Sequence, residues 1–293
     1  MRQLVIMLVL SIVGTSNVQA RENWEDFIPK KPINKNVECS SMNVREFESF
    51  EACRLMNTSS KKLVLFFHGA GSDARSLFRS DKPDSVIQKI RDSKMVMPSI
   101  ISISTGRFSW LGTHRGNQYQ AMAGALQQLI STARQRASVE QVILYGVSMG
   151  GFNALQMLLH HGDLFDKVLL SCPALTDANP FSDSSWDNDE DTKLAKPFTR
   201  AGFRYGLQRE FGSSGDWIES NPMLTLRSSP MRVRKAHSVL IATVGNDGFG
   251  FIKTPIRAAR LLESRGLNVT LVKTESAEHC KPAPGALADF LVN

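Results

Sequence analysis

The sequence predicts an α/β fold built on a mainly parallel sheet. Three observations carry the prediction. Short apolar runs rich in Val, Ile and Leu recur along the chain, and most stop at turns containing Gly, Pro, Asn or Ser. Segments with apolar residues at helical spacing alternate with them. The runs are apolar at successive positions rather than at every second one, which suits strands covered on both faces.

Taken in order, the chain opens with "MRQLVIMLVLSIVGTSNVQA" (1–20), which has one basic residue, Arg2, then an apolar stretch and a polar end in small residues. That is the pattern of a secretory signal peptide cut after Ala20. Its apolar stretch, Leu4 to Val13, is shorter than the roughly 20 residues a membrane-crossing helix needs. In residues 21–60, "FESFEACRLM" (47–56) alternates loosely and points to an antiparallel hairpin. The strand signals follow as "KLVLFF" (62–67), "PSIISIS" (98–104), "QVILYG" (141–146), "KVLLSC" (167–172), "SVLIATVG" (238–245) and "NVTLVKT" (268–274). Helical spacing marks 119–135, 151–161 and 254–266, the last with Pro255 near its first turn and Gly266 as its stop. No linker or internal repeat divides 21–293, so one domain is expected. Residues 174–237 are too long for a plain connection and are expected to form a partly helical, cap-like insertion.

Composition is ordinary for a globular protein: 42% hydrophobic and 22% charged, with a formal net charge of +7. Loss of the leader removes only Arg2 and lowers that by one, to +6. No basic cluster is interleaved with aromatics, so no nucleic-acid partner is expected. No later segment is long and apolar enough for stable membrane insertion, and the expected location is secreted or periplasmic. In an oxidising compartment the four cysteines invite pairing. The expected pairs are Cys39–Cys53 and Cys172–Cys280, with free buried thiols as the alternative. The spacing suits no cysteine-rich metal site. The acidic run "DSSWDNDED" (183–191) lacks a calcium-loop pattern and reads as a solvated loop. The basic stretch that follows is expected to pair with it.

Chemistry enters at "YGVSMGG" (145–151), a G-x-S-x-G motif between a strand and a helix. Ser148 is the candidate nucleophile. A serine of this kind needs a base and a group that orients the base. Asp247 ends the next-to-last strand in "TVGNDGF", and His279 follows the last in "SAEHC". Both fall at strand C-termini, where the sites of open α/β sheets gather. "FFHGAGS" (66–72) ends the first parallel strand and offers a backbone N–H, from Ala70 or Gly71, to a developing oxyanion. The Met149 N–H is the second donor. His68 braces this loop. Phe108 and Trp110, in the loop after "SIISIS", are candidate substrate-binding residues.

With these elements in this order the chain resembles the α/β-hydrolase superfamily from about Lys62 to its C-terminus. "YGVSMGGFNAL", the "HGAG" turn and "WIESNPM" resemble the secreted branch of esterase D-like and antigen 85-like enzymes, with the prolyl-oligopeptidase-like branch also similar. The resemblance implies hydrolysis of a small-molecule or envelope-derived carboxylic ester through an acyl-enzyme on Ser148. It implies no cofactor and no metal, and leaves the oligomeric state open. Peptide cleavage or acyl transfer by the same residues, and a non-catalytic binding module, are the competing readings. A Cys172–Cys280 bridge would fix the His279 loop beside the site.

Overall fold

The computed structural model describes residues 36–79, 86–113, 115–228, 238–275, 279–280 and 284–293. The leader at 1–20 lies outside the described residues. Eight strands form one sheet: β1 (Glu38–Ser41), β2 (Glu51–Leu55), β3 (Lys62–Phe67), β4 (Ser99–Ser104), β5 (Gln141–Val147), β6 (Lys167–Ser171), β7 (Ser238–Val244) and β8 (Asn268–Thr274). Their order across the sheet is β1-β2-β4-β3-β5-β6-β7-β8. β1, β2 and β4 pair antiparallel; every pair from β4 to β8 is parallel. The leading hairpin is tied by a Cys39–Cys53 disulfide between residues directly opposite in register.

Alternate residues of the inner strands enter two cores. Leu63, Leu65, Phe67, Leu144, Leu170 and Ile241 face one. It is covered by α2 (Gln118–Arg136), α3 (Met149–His161) and α9 (Lys253–Ser264). Val64, Phe66, Ile143, Tyr145, Leu169 and Leu240 face the other, beneath α1 (Val86–Asp92) and α10 (Pro284–Val292). This two-sided burial is what the unbroken apolar runs demanded. β8 departs from it: as the sheet edge it alternates between half-buried and exposed, and Leu271 stands in solvent.

The stretch between β6 and β7 holds α4 (Asp183–Asn188), α5 (Glu190–Leu194), α6 (Pro197–Phe211), α7 (Ser214–Ser220) and α8 (Pro222–Ser228). Trp186, Phe211 and Trp217 of these helices are buried in the same cluster as the sheet's first face. The acidic run is therefore helical, not a loop. Asp189 caps α5 through the N–H groups of Asp191 and Thr192. The basic stretch does pair with the run: Arg200 meets Asp187 at 2.5 Å and Arg204 meets Asp183 at 2.6 Å.

Candidate active site

The chain runs from β3 outward to β4, then returns past β3 to β5. The reversal opens a crevice at the C-terminal ends of β3 and β5, where ligands of open α/β sheets bind. Ser148 stands there, between β5 and α3, with φ 53° and ψ −114°. A non-glycine residue rarely holds a positive φ, and the surroundings enforce it here. A Cβ on Gly146 would lie 2.2 Å from the Gly150 carbonyl oxygen, and one on Gly150 would lie 2.1 Å from that of Phe67. Both collisions are with backbone, so the turn can close only with glycine on either side. The Ser148 carbonyl accepts from the N–H groups of Gly151, Phe152 and Ala174, which anchors the turn to α3 and to the segment after β6.

Three of the residues singled out from sequence form one chain of hydrogen bonds. Ser148 Oγ lies 2.9 Å from His279 Nε2, and His279 Nδ1 lies 2.6 Å from Asp247 Oδ2. With the buried Asp247 ionised, Nδ1–H donates to the carboxylate and Nε2 accepts from the serine hydroxyl. The second carboxylate oxygen, Oδ1, accepts from the Phe249 N–H at 2.8 Å. The Asp247 side chain is fully covered, and His279 is only partly open. Such a chain can take a proton from the hydroxyl while holding the imidazolium that results.

The loop after β3 lies against the serine: a Cβ on Gly69 would stand 3.4 Å from Ser148 Cβ. His68 is buried and holds this loop, with Nδ1–H donating to Gly69 O at 2.8 Å and Nε2 accepting from Ser104 Oγ at 2.8 Å. Burial lowers its pKa, outweighing the Gly69 bond that raises it, so the ring is neutral. Of the two expected donors in the loop, Gly71 spends its N–H on Arg107 O at 2.7 Å. The Ala70 N–H has no partner among the described residues. Met149 begins α3, so its N–H has no carbonyl of the preceding helical turn to bond, and the helix dipole favours negative charge beside it.

Two expectations fail. Cys172 and Cys280 are free thiols, not a disulfide. Cys280 Sγ turns to the carbonyl of Cys172 at 3.8 Å and to His279 Nε2 at 3.3 Å. Burial, the adjoining Cys172 thiol and the Asp247 charge push the Cys280 thiol well above its ordinary range. It stays protonated beside the imidazole. Trp110 is only 5% exposed and packs edge-on to Phe152 at 5.0 Å, so it supports the core beneath the site and offers no open face. Phe108, by contrast, is 64% exposed, with its ring edge over Gly71.

Sequence reasoning missed the residues that hold Asp247 and cover His279. The Phe249 ring centre lies 4.5 Å from the imidazole centre and the Phe251 ring 5.8 Å. Asp191, read from sequence as part of a solvated run, is 1% exposed. Its carboxylate accepts from the Lys253 and Thr254 N–H groups at 2.7 and 2.5 Å, capping α9 just beyond the Asp247 loop. The tryptophan within that run was the available signal that the segment folds inward.

The comparisons agree with this architecture. The sequence profile of the serine aminopeptidase S33 family matches residues 110–225. No curated protein matches the chain. Among solved structures, brefeldin A esterase, a bacterial homologue of human hormone-sensitive lipase, superposes with a TM-score of 0.63 at 14% identity, over 90% of this chain and 78% of that one. An esterase of Pyrobaculum calidifontis gives 0.63 at 15% identity, over 89% of this chain and 85% of its own. An arylesterase gives 0.61 at 12% identity, over 99% and 94%. The chain has the α/β-hydrolase fold.

Proposed function

We propose that the protein is an exported serine hydrolase that cleaves carboxylic esters through an acyl-enzyme on Ser148. The observation that carries the reading is the unbroken path from Ser148 Oγ through His279 to the buried Asp247, at 2.9 and 2.6 Å. The esterases that share the fold support the ester as substrate. The leader at 1–20 supports export. The sequence likeness to the secreted esterase D-like and antigen 85-like branch points the same way.

The reaction follows from the atoms present. His279 Nε2 takes the hydroxyl proton as Oγ attacks the ester carbonyl, and the carbonyl oxygen becomes an oxyanion held by the N–H groups of Met149 and Ala70. Asp247 stabilises the imidazolium without taking its proton. The carbon–oxygen bond to the alcohol then breaks, and Nε2–H protonates the departing oxygen. Water, deprotonated by Nε2, attacks the acyl-enzyme and releases the acid and Ser148.

A p-nitrophenyl ester series, run with the unmodified protein and Ser148→Ala, tests the reading. Removing a triad serine typically costs about a million-fold in turnover, so activity should vanish in the variant. Equal activity in both would overturn the assignment of the nucleophile. The match to the serine aminopeptidase profile favours peptide cleavage as a second reading. Aminoacyl p-nitroanilides hydrolysed in preference to esters would select it. Failure of a fluorophosphonate to label Ser148 would leave the binding module.

A further inference from the structure

We propose that Phe249 selects the alcohol half of the substrate, and that this enzyme prefers esters of apolar alcohols, aryl-methyl or longer alkyl, over those of methanol or polyols. The inference rests on the reading of Ser148, His279 and Asp247 given above.

In that reaction the departing oxygen must reach His279 Nε2 to collect its proton, so the alcohol's first few atoms pass along whatever flanks that ring. Among the described residues, the imidazole's side-chain partners are Ser148, Asp247 and Cys280 by hydrogen bonds and Phe249 and Phe251 by ring contact. Asp247 occupies the Nδ1 edge, and Cys280 is a half-buried thiol bonded to the Cys172 carbonyl and to Nε2. The open flank is the Phe249 ring, 4.5 Å away and tilted 41° to the imidazole.

This phenyl is 42% exposed, whereas Phe251 behind it is 3% exposed. A half-open phenyl gives up much of the burial that makes aromatic residues useful to a fold. The backbone that carries it is held, because the Phe249 N–H donates to Asp247 Oδ1, and the ring rests against the imidazole. The recess between Phe249, Phe251, Trp186 and Phe203 has a volume of only about 10 Å³, room for roughly one water. A ring or alkyl chain cannot enter it, which leaves the exposed face of Phe249 as the apolar surface against the imidazole. That face offers apolar and aromatic contact to the leaving alcohol and no hydrogen bond to a hydroxyl-rich one.

The test compares kcat/KM for benzyl acetate and methyl acetate, whose alcohols are of nearly equal acidity, so chemistry cancels in the ratio. Phe249→Ala retains the backbone N–H to Asp247 and removes only the ring. An aromatic contact of the usual strength corresponds to roughly a 3- to 10-fold fall in the benzyl-to-methyl ratio, with Phe249→Leu intermediate. Inhibition by the product benzyl alcohol should weaken in step. A general loss of activity with the ratio unchanged would overturn the inference and make the ring a support for His279. No loss would overturn it too. If the unmodified protein hydrolyses neither ester and a fluorophosphonate leaves Ser148 unlabelled, the proposed function itself fails, and the inference with it.

Discussion

Replacing Asp191 with alanine should damage stability and turnover together, although its carboxylate bonds to none of Ser148, His279 and Asp247. α9 has no cap of its own: its N-cap position is Ile252, and no side chain there bonds the first turn. The cap comes from α5, as the Asp191 carboxylate accepts from Lys253 N and Thr254 N. The same segment braces the Asp247 loop directly. The Lys196 N–H donates to Gly248 O at 3.2 Å, and the Asp191 carbonyl is so close to Gly250 that a Cβ there would stand 2.1 Å from it. Truncation leaves the buried Thr254 N–H and the part-buried Lys253 N–H unpaired, at a cost of about 1–3 kcal/mol for the first and less for the second. Burial raises the Asp191 pKa, the largest influence on it, which means that the lost carboxylate itself carried a desolvation cost. The net loss is then about 2–4 kcal/mol. For the compact unit Ile33–Asn293 that is a fall in Tm of roughly 4–8 °C, at about 2 °C per kcal/mol for a domain this large. A displacement of about 1 Å at Asp247 corresponds to a loss of up to roughly 100-fold in kcat, read on a p-nitrophenyl ester with KM changing far less. A lower Tm with kcat intact would refute the link between the inserted helices and the acid. An unchanged Tm would refute the cap.

Native protein treated with iodoacetamide near pH 7 should keep Cys172 and Cys280 largely unmodified, because Cys172 is buried and Cys280 is half-buried with its pKa raised. Non-reducing peptide mapping of the unfolded chain should find both alkylated and only Cys39–Cys53 cross-linked; a Cys172–Cys280 peptide would contradict the free thiols. His68 gives a pH dependence. Its folded pKa lies below the unfolded value of about 6.5, so its contribution is complete above that value and is lost as pH falls through the folded one. The Tm difference between the unmodified protein and His68→Gln should therefore shrink on acidification from pH 7 to pH 5. A constant difference would mean that the ring does not titrate on unfolding.

Much of this was legible in the sequence because the physics that fixes it is local. Strands covered on both faces must be apolar at every position, so β3 to β7 could be read as runs. A nucleophile on a tight strand-to-helix turn needs glycine where a Cβ would strike backbone, so Gly146 and Gly150 betray the position of Ser148. That Asp247 and His279 lie within reach of Ser148 could be read because parallel strands deliver their C-terminal ends to one side of the sheet. The misses have a common cause: they depend on contacts between segments far apart in the chain. Nothing in "NDED" tells a solvated carboxylate from one that caps a helix 62 residues on. The thiols of Cys172 and Cys280 do come together behind the serine, as their positions suggested. Proximity does not make a bond, however, and Cys280 Sγ is turned to a carbonyl and to the imidazole. Trp110 was misplaced for the same reason, since its loop lies at the mouth while its side chain turns back onto Phe152.

The distribution of supports makes Asp247, rather than Ser148, the residue more open to perturbation from elsewhere in the chain. Ser148 is held by the sheet itself: its N–H donates to Ser171 O at the end of β6, and its carbonyl accepts three backbone bonds. No single side chain outside the turn can release it. Asp247 instead sits on a loop after β7 whose shape is secured by Gly250 at φ 84°, by Lys196 and by Asp191. Asp191 belongs to α5, and Lys196 lies between α5 and α6 in the same inserted segment. A perturbation of α5 is therefore transmitted to the carboxylate, through it to the orientation of His279, and only then to Ser148. Substitutions in the insertion should accordingly lower turnover and slow fluorophosphonate labelling of Ser148 together, since both need His279 held in place by the Asp247 carboxylate. Labelling at the unmodified rate while turnover falls on Asp191→Ala, with the fold retained, would refute this path from α5 to the serine.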